Sequence, residues 1–103
     1  MDKSTNGRKI AAKFVKSCLM AGIPLSEAYL FGSYAKGSQK KHSDIDIALV
    51  GNSFGKNIID NAKQTALISF DFPLVEVHHF SNTEFCSDDP FIMEIKSTGL
   101  KIY

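Results

Sequence analysis

The sequence predicts one α/β (α+β) domain over residues 1–103, a small mixed β-sheet flanked by helices. Three observations predict it. Apolar residues recur at helical spacing in some stretches and at strand spacing in others, and the two kinds alternate along the chain. A length of 103 residues suits one hydrophobic core and is too short for two linked domains. The composition, 44% hydrophobic and 22% charged, is that of a globular chain and not of a disordered one.

From about Gly7 to Ala21 the spacing predicts a helix, because Ile10, Phe14, Val15, Cys18 and Leu19 share one face. Ser4, Thr5 and Asn6 are candidate N-caps, and Gly22 before Pro24 stops the helix. A short strand, residues 28–31, is broken by Gly32-Ser33, which opens a helical turn. Residues 37–43 read as a polar, basic loop. The clearest strand is 44–50, with Ile45, Ile47 and Leu49 facing a core. After a loop at 51–55, a second helix is expected from about Lys56 to Ser69, burying Ile58, Ile59, Ala62, Ala66 and Leu67. Pro73 leads into an interior strand, 74–80. Ser81 and Glu84 have capping-box spacing, and Asp89-Pro90 starts a last helix that ends near Gly99. The tail, 100–103, forms a final short strand.

A net charge of +1 offers no global attraction for nucleic acid or a membrane surface. No apolar run approaches the ~20 residues of a membrane span, and the polar N-terminus lacks a signal-peptide core. Cys18 and Cys86 fit no metal spacing and are expected to be reduced thiols. These features predict a cytoplasmic protein without membrane or nucleic-acid partners.

The chemistry concentrates in three places. Asp44 and Asp46 open an otherwise apolar strand, two residues apart and so on one face. Two converging carboxylates repel unless a cation lies between them, and hard oxygen ligands suit Mg²⁺. Taken alone, the pair equally describes a solvated strand end. Gly32-Ser33 follows a strand directly; glycine permits close backbone approach to a ligand, although a plain tight turn reads the same way. Glu76, between Val75 and Val77, is costly to bury without a partner. A neighbouring strand could bring it to Asp44 and Asp46, or it could lie on a solvated face. His78 shares the predicted face of Glu76 and can line the same pocket, whereas His79 points the other way. Lys40-Lys41-His42 form a basic cluster suited to triphosphate or RNA, or to a solvated loop.

Taken together, Leu30-Phe31-Gly32-Ser33, ten intervening residues from Tyr34 to Ser43, and Asp44-Ile45-Asp46 resemble the signature of the polymerase-β-like nucleotidyltransferase superfamily. More closely, the chain looks like the minimal nucleotidyltransferases, the antitoxin partners of HEPN-type proteins, and the order of elements extends the resemblance along the whole chain. The resemblance implies the polymerase-β-like fold and a nucleotidyltransferase activity. Gly32 and Ser33, with Lys36, would bind the β- and γ-phosphates of a nucleoside triphosphate, with ATP as donor. Asp44, Asp46 and Glu76 would be catalytic and would ligate two Mg²⁺ ions. AMP would pass to a hydroxyl acceptor, a tyrosine of a helical HEPN-type partner toxin. Two departures stand out: the third acid is Glu where Asp is common, and Lys36 stands where the family often carries Arg, without its bidentate fork. A chain this short has no room for an acceptor domain, so the acceptor is expected in trans, within a homo- or hetero-oligomer. The alternative is an antitoxin with a weak or inactive site that neutralises its partner by binding alone.

Overall fold

The computed structural model describes residues 3–37 and 44–103, with the side chains of residues 3–5 and 36 left aside. Helix α1 spans Lys3–Met20. It starts before the expected caps, so Ser4, Thr5 and Asn6 lie within its first turns. Phe14, Val15 and Cys18 of its apolar stripe are buried, joined by Ala11, while Ile10 and Leu19 pack at the margin. Strand β1, Leu25–Phe31, runs three residues longer than its apolar stretch suggests. Helix α2 is one turn, Ser33–Lys36. Its Tyr34 ring is buried against Gly7 of α1, where a Cβ would collide with that ring. A helix-interior glycine costs up to ~1 kcal/mol against alanine, and here it makes room for the close approach.

Strand β2, Ile45–Gly51, and strand β3, Val75–Phe80, flank helix α3, Ile58–Ser69. Helix α4 is Asn82–Phe85, helix α5 is Pro90–Thr98, and strand β4 is Leu100–Lys101. The capping box forms as its spacing requires: Glu84 N donates to Ser81 Oγ at 3.1 Å and Ser81 N to Glu84 Oε1 at 3.0 Å. Asp89 Oδ1 accepts from Phe91 N at 2.8 Å, with Pro90 in the first turn of α5.

The four strands form one mixed sheet in the order β3-β2-β1-β4. β2 runs parallel to β3 and antiparallel to β1, and β4 pairs antiparallel with β1. β3 is therefore an edge strand and not the interior strand expected from its valines. Ile45, Ile47 and Leu49 face a core shared with α1, Tyr34, Phe54 and the margin of α3. Ala48 and Val50 face a second cluster with Phe31, Phe85, Ile92 and Ile95 under α4 and α5. Both faces of β2 are thus covered, which explains its change from an alternating to a continuous apolar pattern.

Helix α3 forms where predicted but turns the opposite face to the sheet. Ile58, Ile59 and Leu67 are 80%, 66% and 88% exposed, while Asn61 and Thr65 are buried. Specific polar partners hold this orientation. The Asn61 side chain exchanges two hydrogen bonds with the Gly55 backbone, at 2.8 and 2.9 Å, and Thr65 Oγ1 lies 2.9 Å from His79 Nε2. Satisfied in this way, the polar residues occupy the inward face without an unpaired donor.

Candidate active site

The register brings the chemistry to one end of the sheet, where β1 finishes and β2 and β3 begin. Phe31 pairs with Asp46 across β1–β2, and Asp46 pairs with Glu76 across β2–β3. Side chains opposite one another in register share a face, so Asp46 and Glu76 emerge together and His78 follows two residues along. One ligand atom from each of Asp46, Glu76 and His78 lies within 4.8 Å of the others. Asp44 is exposed immediately before β2 and does not join this group. It precedes the paired part of the strand, where no register fixes its side chain.

Gly32 closes the site from β1. Its φ of 76° lies in the left-handed region, and Asp46 Oδ2 occupies the space that a side chain at Gly32 would fill. Glycine is needed twice over at this position, for its backbone angle and for the carboxylate beside it. Ser33, half-buried, is the first residue of α2, and no side chain among the described residues caps that turn. The side chain of Lys36 and the cluster Lys40-Lys41-His42 lie outside the described residues.

The electrostatics of the pair suit a cation. Burial, followed by a hydrogen bond and charge repulsion from Glu76, holds the Asp46 carboxyl above its usual range, and His78 pulls the other way. His78 Nε2 lies 3.5 Å from Asp46 Oδ1. That nitrogen is buried and has no hydrogen-bond partner among the described residues. Two crowded carboxylates and an orphaned imidazole nitrogen are a donor set that a divalent cation fits, since it removes the repulsion and satisfies the nitrogen together. His79, on the opposite face, is the contrast. It sits edge-on to Phe54 at 4.9 Å, and its pKa is lowered to about 4, first by burial and then by the field of His78. It is a packed, neutral ring bonded to Thr65.

Two aromatic neighbours of the site are not legible in the sequence. Phe31 stands edge-on to His78 at 4.9 Å and to Phe91 at 5.7 Å. Only the return of α5 across the sheet reveals that Phe91 belongs here.

Residues 14–103 match the family described as Polymerase beta, Nucleotidyltransferase. The chain belongs to this family, and its fold is that of the polymerase-β-like nucleotidyltransferases. Solved structures with the same fold include a candidate nucleotidyltransferase from Sulfolobus solfataricus, at TM-score 0.70 and 20% identity over 95% of this chain and 80% of that one. A toxin–antitoxin with AMP-PNP gives TM-score 0.63 and 23% identity over 89% and 72% of the two chains. The complex of a tri-AMPylated Shewanella oneidensis HEPN toxin with MNT antitoxin gives TM-score 0.60 and 18% identity over 93% and 71%. No match was found among curated proteins.

Proposed function

We propose that this chain acts as a single domain that transfers AMP from ATP to a hydroxyl acceptor, a tyrosine of a HEPN-type partner, and so serves as the antitoxin of a cytoplasmic pair. The observation that carries this reading is the position of Asp46, packed against Gly32 on one side and against Glu76 on the other. Phosphate-binding and metal-binding elements meet there. Gly32 and Ser33, with Lys36, receive the β- and γ-phosphates. Asp46 and Glu76 would hold the first Mg²⁺ ion, and Asp44, exposed just before β2, would have to turn inward to complete a set for two. Bound there, such ions neutralise triphosphate charge and favour in-line displacement at the α-phosphorus. Glu76, exposed on the edge strand, would take the proton of the incoming hydroxyl. The acceptor oxygen forms the new bond to the α-phosphorus as the bond to pyrophosphate breaks.

The relatives that are complexes with HEPN toxins support a protein partner, and so does the exposed apolar face of α3. Incubating the chain with labelled ATP, Mg²⁺ and the co-purified partner should place label on the partner. Asp46→Asn should reduce that labelling by about 10²–10³-fold, the scale for losing a key electrostatic group. No label on any protein, with the partner still bound and neutralised by Asp46→Asn, would sink the catalytic reading. The α3 face then favours the second one, neutralisation by contact.

A further inference from the structure

We infer that His78 is a direct nitrogen ligand of the metal held at Asp46 and Glu76, and that it makes the site prefer Mn²⁺ to Mg²⁺. The inference rests on the reading above that these carboxylates hold a divalent cation. It adds a residue that the resemblance does not supply, since the resemblance assigns the metal to carboxylates alone.

The placement follows from the fold. The parallel register sets Glu76 opposite Asp46 and His78 opposite Ala48, so the small Ala48 leaves the imidazole free to lean back over the acids. Phe31, edge-on at 4.9 Å, supports the ring from β1. Nε2 makes a long ion-pair contact of 3.5 Å with Asp46 Oδ1 that falls short of hydrogen-bond geometry, and the atom itself is buried although the side chain is 28% exposed. The neighbouring His79 has its own Nε2 satisfied by Thr65 at 2.9 Å. Of these two adjacent histidines, one is packed with a bonded nitrogen and the other carries an orphan aimed at two carboxylates. A buried polar atom left unpaired is costly, and metal ligation is the partner that this geometry offers. Carboxylate oxygens serve Mg²⁺ and Mn²⁺ alike, whereas an imidazole nitrogen favours first-row transition ions. Mn²⁺ accepts the mixed set and can still bind substrate phosphates.

The test uses the full chain with Mn²⁺ alone and Mg²⁺ alone. Pulsed electron paramagnetic resonance of bound Mn²⁺ should show coupling to a histidine nitrogen, sensitive to ¹⁵N-histidine labelling. The chain has three histidines. The coupling should survive His42→Gln and His79→Gln and vanish in His78→Phe, which keeps a ring against Phe31. Titration should show the ratio of Mn²⁺ to Mg²⁺ affinity falling by ~10-fold or more in His78→Phe, the scale seen when groups supporting a metal are removed. Bound Mn²⁺ without nitrogen coupling in the unaltered chain would overturn the role of His78 while leaving the proposed function standing. So would an equal loss of both ions in His78→Phe. Failure of both ions to bind would overturn both. If His78→Phe does not fold, the isotope-sensitive coupling that persists in the His42 and His79 variants decides alone.

Discussion

At Gly32 one missing Cβ serves both backbone and carboxylate. Alanine there would hold φ 76° with ψ −147°, a conformation nearly reserved for glycine, at a cost of ~1–3 kcal/mol, and would push into Asp46. Gly32→Ala is therefore expected to lower Tm by roughly 5 °C or more and, on the proposed function, to abolish nucleotide binding, read by calorimetric titration with a non-hydrolysable ATP analogue. A chain that binds the analogue unchanged would separate Gly32 from the phosphates. The two cysteines make a second residue-scale prediction. Burial raises the Cys18 thiol to about 11, which leaves almost no thiolate at neutral pH, whereas Cys86 is exposed. A thiol-reactive dye at neutral pH should label Cys86 quickly and reach Cys18 only after denaturant is added. Fast labelling of both would contradict the packing of α1. At this scale Asp46 and Glu76 were each legible as conspicuous acids in apolar strands, and the strand neighbourhood that the sequence allowed is the one the register forms. The departure of Asp44 from the cluster was not legible, since alternation alone cannot say where pairing begins.

At the scale of elements, α3 shows where sequence reasoning succeeds and where it stops. Its period predicts a helix and the helix forms, but the stripe of Ile58, Ile59, Ala62, Ala66 and Leu67 faces away from the sheet. The deciding partners, the Gly55 backbone and His79, come from a loop and a strand whose positions only the tertiary fold supplies. Phe70, 88% exposed, continues the same outward face at the end of the helix. A contiguous apolar surface on a helix is a candidate interaction site. Leu67→Asp with Phe70→Ser should leave stability within ~0.5 kcal/mol, as substitutions of exposed residues do, and should remove the partner from a co-purification. A stable double variant that still holds the partner would assign the interface to another face. Phe14 gives the opposite case. It is fully buried and edge-on to Phe72 at 5.3 Å, so Phe14→Ala should cost about 3–5 kcal/mol in chemical denaturation.

For the molecule as a whole, the sheet order places the Gly32 turn and the Asp46–Glu76 pair at one end and the apolar face of α3 outside both cores. Among the described residues, no helix is long and apolar enough to cross a membrane. The overall order of elements was legible because each apolar period is bounded by its own stop, such as Gly22-Pro24 or Asp89-Pro90. The edge position of β3 was not, because strand order is set by pairing between distant segments. The contact between Gly7 and Tyr34 joins the ends of this arrangement. Tyr34 follows Ser33 in the turn after β1, and its ring rests on the bare backbone of α1. On the proposed function, a nucleotide that immobilises that turn would also hold the first half of α1, which would link nucleotide binding to the local stability of this helix. Saturation with an ATP analogue should then slow amide hydrogen exchange around Gly7 to Ala11, residues that need not touch the nucleotide, and Tyr34→Ala should uncouple the two.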